Sequence, residues 1–181
     1  MRIIAKSEYS GMPWKNGGGT TSEVFADYVS PGVFNWRVSI ADVNSSGPFS
    51  NFAGYERHIM VLTGRGMDLG FGGGKRMELA RLRPVTFSGD SSVVGVLKDG
   101  PVQDFNLMVR RDFGVGRLVV RSLTQPSTFA SEETHLIYVL ASSGGATQDG
   151  LAAGDSLLIA PGEICTLGAG FDLAVCRIKA H

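Results

Sequence analysis

The chain places charged side chains where β-strands would bury them. In Phe34-Asn35-Trp36-Arg37-Val38-Ser39-Ile40-Ala41, alternation puts Arg37, Ser39 and Ala41 on one strand face. Trp36, Val38 and Ile40 take the other. An arginine buried without a partner in such a strand would cost several kcal/mol. Arg37 must therefore face a carboxylate, supplied by the protein or by a ligand. A second run, Asp104-Phe105-Asn106-Leu107-Met108-Val109-Arg110-Arg111, divides in the same way. Asp104, Asn106, Met108 and Arg110 share one face, and Phe105, Leu107 and Val109 form an apolar one. The polar stripe is either an ordinary solvated sheet face or the lining of a lumen. Its mixture of Asp, Asn, Met and Arg suits a selective small-molecule pocket better than a solvent face of Lys and Glu. If there is catalysis, Asp104 is the candidate base, because a nearby arginine can hold it ionised.

A third segment, Pro13-Trp14-Lys15-Asn16-Gly17-Gly18-Gly19-Thr20-Thr21, sets three glycines beside Trp14 and Asn16. The glycines let backbone approach something closely, with Trp14 stacking on a small ligand and Asn16 hydrogen-bonding it. The alternative is a turn with a packed tryptophan. Other chemistries lack their residues. The histidines are His58, His135 and His181, with no His-x-His pair, so a β-barrel metal set of two close His, a Glu and a later His is missing and no metal or other cofactor is expected. His58 and His135 read as structural. Gly72-Gly73-Gly74-Lys75 resembles a phosphate loop, but Leu69 and Arg76 stand where Gly and Ser or Thr are needed. It reads as a hairpin turn. No Gly-x-Ser-x-Gly elbow supports a nucleophilic hydrolase.

The elements that must position these residues are short strands. No window sustains a capped apolar 3.6 period. β-rich runs occur at 36–43, 58–62, 93–97, 105–109, 117–123, 135–140, 156–159 and 171–178, separated by turn chemistry at 45–48, 64–66, 70–74, 98–101, 142–145 and 168–170. The 25 glycines, about double the usual share, fit that many turns. A weak repeat links 57–66 to 135–144: each β-run ends in Val-Leu before a Gly-bearing turn. A second short strand follows in each copy, at 82–87 and 153–162. The second copy runs Gly-Asp, apolar stretch, Pro-Gly, which is the cadence of a cupin barrel. The expected fold is all-β: a bicupin of two fused cupin-type (double-stranded β-helix, jelly-roll) barrels, with an N-terminal lobe at 1–112 and a shorter lobe at 113–181. Strands from the N-terminus are expected to cross to the second barrel, which would otherwise keep open edges.

Charge and composition narrow the partners. Lys+Arg and Asp+Glu are 17 each, so nothing steers the chain toward nucleic acid or an anionic membrane. Cys165 and Cys176 form no CxxC pair and read as buried thiols in a reducing compartment. The first residues carry no apolar run of signal-peptide length, so a cytoplasmic location is expected. A homodimer is left open.

Four motifs, in order, resemble the HutD/Ves family. They are Pro13 to Thr20, Trp36 to Ala41, Gly47-Pro48-Phe49-Ser50-Asn51-Phe52-Ala53-Gly54 with Arg57, and Asp99-Gly100-Pro101 with Asp104 to Met108 and Arg110-Arg111. Ala53 departs from the family's proline, and His58 is not among the family's features. The resemblance covers roughly 1–112. It implies a bacterial cytoplasmic bicupin, often encoded beside histidine-utilisation enzymes, that binds a pathway intermediate such as urocanate or N-formylglutamate and restrains the pathway. Such ligands are small carboxylates, which Arg37, Arg57 or Arg110 could hold bidentately while Trp14 stacks on a flat ring.

The expected site is thus Trp14, Asn16, Arg37, Ser39, Arg57, Asp104, Asn106 and Arg110 in the N-terminal lobe, binding a small carboxylate without a metal. Two other readings stay open. One is a metal-independent isomerase or epimerase using Asp104, and the other is an interaction protein whose Gly-rich loops carry the contacts.

Overall fold

The β-rich runs form strands, and among the described residues only two three-residue 3-10 turns, Lys6–Glu8 and Gly72–Gly74, interrupt them. The computed structural model describes residues 1–14, 17–143 and 150–181. Asn16 and part of the expected turn at 142–145 lie outside the described residues. In chain order the strands are β1 (Arg2–Ile4), β2 (Ser10–Pro13), β3 (Gly19–Ser30), β4 (Val33–Val43), β5 (Gly47–Pro48), β6 (Tyr55–Thr63), β7 (Met67–Phe71) and β8 (Arg76–Leu79). They continue with β9 (Val85–Ser88), β10 (Val93–Leu97), β11 (Val102–Arg110), β12 (Gly114–Leu123), β13 (Ser127–Ala130), β14 (Thr134–Ser142), β15 (Ser156–Ile159), β16 (Ile164–Leu167) and β17 (Phe171–Ala180).

These strands make four sheets. A six-stranded sheet runs β2-β3-β4-β11-β6-β9, and a four-stranded one β5-β10-β7-β8. A five-stranded sheet runs β1-β15-β14-β17-β12, and β13 pairs with β16. Strand alternation explains how they stack. Trp36, Val38, Ile40, Met60, Phe105, Leu107 and Val109 leave one face of the six-stranded sheet and pack on Leu118, Leu136, Ala174, Cys176 and Ile178 of the five-stranded sheet. The other face packs Ile59 and Val61 on Met67, Leu69, Leu79 and Val93 of the four-stranded sheet. On the far side, Ile137, Val139, Leu157, Leu173 and Val175 meet Phe129, Cys165 and Leu167 of the two-stranded sheet. Four layers result, and the two large sheets, buried on both faces, stand back to back in the middle.

Expected barrels are replaced by open sandwiches of the cupin-like kind, since no sheet closes on itself among the described residues. Prolines sit on the edges: β2 ends at Pro13 and β5 is only Gly47–Pro48. A proline donates no ladder hydrogen bond, so such edges stop rather than join. The N-terminal β1 pairs antiparallel with β15, Ile3 opposite Leu157, which ties the chain's start to the far sheet. The weak repeat has a counterpart in topology: β4-β11-β6-β9 and β12-β17-β14-β15 share one order. The two echoing runs, β6 and β14, hold the same place in it. Gly72–Gly74 turns the chain from β7 to β8, with Gly73 and Gly74 at positive φ. No helix among the described residues is long and apolar enough to cross a membrane.

Candidate functional site

The face of the six-stranded sheet that looks toward the four-stranded sheet changes character along its length. Toward one end it is apolar core; toward the other, register sets polar side chains in rows. Arg37 lies opposite Met108, and Met108 opposite Arg57. The next row is Ser39, Asn106 and Ile59, and the next Ala41, Asp104 and Val61. β3 adds Thr21 beside Ala41 and Glu23 beside Ser39, and β9 adds Phe87 beside Arg57. The walls are Trp14 on one side and Pro48, Phe49, Ser50 and Phe52 on the other. Together they enclose a cavity of about 480 Å³, a size suited to a small organic ligand.

Arg57 is the most constrained cation here. It is 4% exposed. Its guanidinium lies 5.3 Å from the Phe49 ring, 5.5 Å from Phe52 and 5.2 Å from Phe87, a three-sided aromatic cage. One guanidinium nitrogen donates to the Ser50 carbonyl at 3.3 Å, and Nε has no partner. Burial lowers its pKa to about 10; Asp104 opposes that shift and Arg37 adds to it. Arg57 therefore remains a cation at neutral pH.

Asp104 is 2% exposed, and its Oδ1 accepts no hydrogen bond. Burial pushes its carboxyl up to about 7, with Arg57 pulling down and Asp42 adding to the rise. Asn106, next on the same face, also presents a buried Oδ1 without a partner. Unmatched buried donors and acceptors are rare in native interiors and point to something that completes them.

The carboxylate that Arg37 requires is Glu23, whose Oε2 lies 3.3 Å from Arg37 Nε. The approach is too oblique for a hydrogen bond, so Nε is ion-paired but not hydrogen-bonded. The pair is largely shielded, at 14% and 17% side-chain exposure. Ser39 is buried beside it. Trp14 is pinned by its indole N–H, which donates to Thr21 Oγ1 at 2.8 Å.

The Gly-rich turn is explained by close approach at one position. A Cβ on Gly19 would lie 2.2 Å from the Asp42 carbonyl oxygen and 3.2 Å from the Trp14 ring. Gly19→Ala is expected to cost about 2–3 kcal/mol, since the Asp42 backbone must yield and the Trp14 ring shift with it. Urea unfolding of the variant checks this; unchanged stability would mean that the β3–β4 pairing relaxes freely.

The loop 48–54 is held by Asp90. It accepts from Gly54 N–H at 2.8 Å, and Arg111 pairs with its other oxygen. The Ser88 hydroxyl, the Gly54 N–H and Arg111 together pull the Asp90 carboxyl down to about 2. Arg111 thus positions the loop that delivers Phe49 and Phe52.

Of the residues expected from sequence, Trp14, Arg37, Ser39, Arg57, Asp104 and Asn106 line this one cavity. Asn16 lies outside the described residues. Arg110 does not line the cavity: it sits a row beyond Arg57, opposite Tyr55, and its Nε donates to Asp112 at 2.5 Å. His58 points to the other sheet face, with Nδ1 2.8 Å from Thr86 Oγ1 and Nε2 3.3 Å from Glu56. Burial lowers its pKa, so it is neutral in the inter-sheet layer. No three His, Cys, Asp or Glu side chains cluster as metal ligands among the described residues. The aromatic cage was missed in sequence. Its only signal was the Phe-x-x-Phe spacing at 49 and 52, and alternation cannot say that a loop folds over an arginine.

The HutD family model matches residues 6–175. The chain belongs to the HutD family. Among relatives of this HutD protein, a 21.2 kDa protein of the hutC 3′ region of Pseudomonas putida is 44% identical over 110 residues, 60% of this chain and 57% of that one. The match thus spans little more than half of that relative's length. Protein Ves of Cronobacter sakazakii is 38% identical over 128 residues, 70% of this chain and 69% of its own. The solved structure of HutD from Pseudomonas fluorescens SBW25 superposes with a TM-score of 0.87 at 32% identity, covering 99% of this chain and 98% of that one.

Proposed function

We propose that this protein binds a small carboxylate, such as urocanate or N-formylglutamate, and through it regulates histidine catabolism in the cytoplasm. The observation that carries the reading is caged Arg57. A cation shut into an apolar cage with a buried, unpartnered Nε donor, at the floor of a ligand-sized cavity, suits an anionic acceptor. Trp14 and the Phe49–Phe52 wall suit a flat ligand body. On the same reading the four layers are a bicupin of two fused open sandwiches rather than closed barrels, an N-terminal lobe at 1–112 that binds and a shorter lobe at 113–181 that braces it, with β1 crossing between them.

Titration calorimetry with urocanate, N-formylglutamate and histidine tests the proposal. At least one carboxylate is expected to bind, and Arg37→Ala to weaken it about tenfold or more, since a second cation near the anion is lost. No heat with any of them would sink the reading, as would an Arg37→Ala protein that binds identically.

A second reading draws on one observation, the Asp104 carboxyl held near neutrality, where a general base works best. Turnover of a pathway intermediate by pure protein, lost in Asp104→Asn, would favour it.

A further inference from the structure

We propose that the cavity takes a monocarboxylate together with one proton, which Asp104 receives. The inference rests on the carboxylate reading above and concerns what the site demands of that ligand's charge.

It follows from a count of charges at the buried floor of the cavity. Among the described residues, the charged groups around Asp104 are Arg57 from β6, Arg37 and Asp42 from β4, and Glu23 from β3. Asp42 is exposed and hydrogen-bonded by Gln103, so it is solvated. The loop wall, Pro48, Phe49, Ser50 and Phe52, contributes no charge. Arg37 and Glu23 neutralise each other. Arg57 and ionised Asp104 do the same. An entering carboxylate then adds one negative charge that nothing offsets, in a site where unpaired charge is expensive.

One group can absorb it at little cost. Asp104 accepts no hydrogen bond at Oδ1, so protonating it breaks none there. Burial already holds its carboxyl at about 7, so the proton is half in place at neutral pH. Arg57 then exchanges one counter-anion for another. The new Asp104 O–H also supplies a donor to a face that otherwise shows two unmatched acceptors, Asp104 Oδ1 and Asn106 Oδ1. Once Asp104 is neutral, Arg57 offsets one carboxylate. A dicarboxylate would bring a second charge with no counterpart, and a zwitterion would need no proton. Asp104 is thereby the residue that sets which ligand charge the cavity accepts.

The test is calorimetry of the full chain with urocanate, between pH 7 and 8.5, in paired buffers of low and high ionisation enthalpy. The complex holds a proton that the free protein loses as pH rises, so alkaline pH must weaken binding. Uptake of about half a proton is expected at pH 7, approaching one by pH 8.5, with Kd rising about fifteenfold across that range. Asp104→Asn should bind without uptake and with a flat pH profile. N-formylglutamate, a dianion, should bind at least about tenfold more weakly than urocanate at pH 7. Urocanate binding without uptake by the wild-type protein overturns the inference even if the variant fails to fold, and leaves the carboxylate reading standing. So does tighter binding of the dianion. Absence of heat with either probe at every pH counts against the carboxylate reading and removes this inference with it.

Discussion

Asp104→Asn is expected to stabilise the protein at pH 8 by up to about 4 kcal/mol, and to change its stability little at pH 4. The folded-state carboxyl sits at about 7, against a model value of 3.8. Between those values the native state binds a proton that the unfolded chain does not. Folding is therefore favoured on the acid side, and that advantage is lost as pH rises through about 7. Above it, the wild-type protein must bury a charge that the amide lacks. Urea unfolding of both proteins at pH 4, 6 and 8 reads the difference directly. A variant less stable than wild type at pH 8 would mean that attraction between Asp104 and Arg57 outweighs the cost of burying the carboxylate.

Arg57→Met should abolish carboxylate binding while keeping the fold. Truncating one partner of a buried, hydrogen-bonded charge pair costs about 2–5 kcal/mol, so affinity for urocanate should fall at least about thirtyfold. Methionine keeps much of the side chain's apolar bulk and suits the Phe49, Phe52 and Phe87 rings through sulfur–aromatic contact. Its second consequence concerns Asp104, which loses the cation that holds its pKa down. The carboxyl should rise further and stay protonated through neutral pH. The fall in stability with rising pH, which starts near the unfolded-chain value in both proteins, should then continue to higher pH than in the wild type. Calorimetry and pH-dependent urea unfolding measure the two effects. Undiminished affinity would place the carboxylate seat elsewhere.

Much of the cavity floor was legible because strand alternation is local. Arg37 with Ser39, and Asp104 with Asn106, could be assigned to single faces from their own segments. That the two faces are one face depends on β4–β11 register, which no segment states alone. β3 escaped notice because Gly19–Ser30 alternates weakly, and many of its residues are only half-buried. With it went Glu23, the partner Arg37 required. Arg110 follows the alternation of Asp104 and Asn106, but periodicity does not reveal that the cavity ends a row earlier. Open sandwiches were read as barrels because closure depends on edge pairing, and edges such as Pro13 and Pro48 become informative only once the sheet order is known. The cage around Arg57 is assembled by a loop tied down through Asp90 and Arg111, contacts far apart in sequence.

The account's central claim is that Arg57 is the seat of a ligand carboxylate. A crystal structure of the protein grown with saturating urocanate tests it most directly. The prediction is a carboxylate within hydrogen-bond reach of Arg57 Nε, with the flat ring between Trp14 and the Phe49–Phe52 wall. An unoccupied cavity at saturation, or urocanate bound away from Arg57, would contradict it.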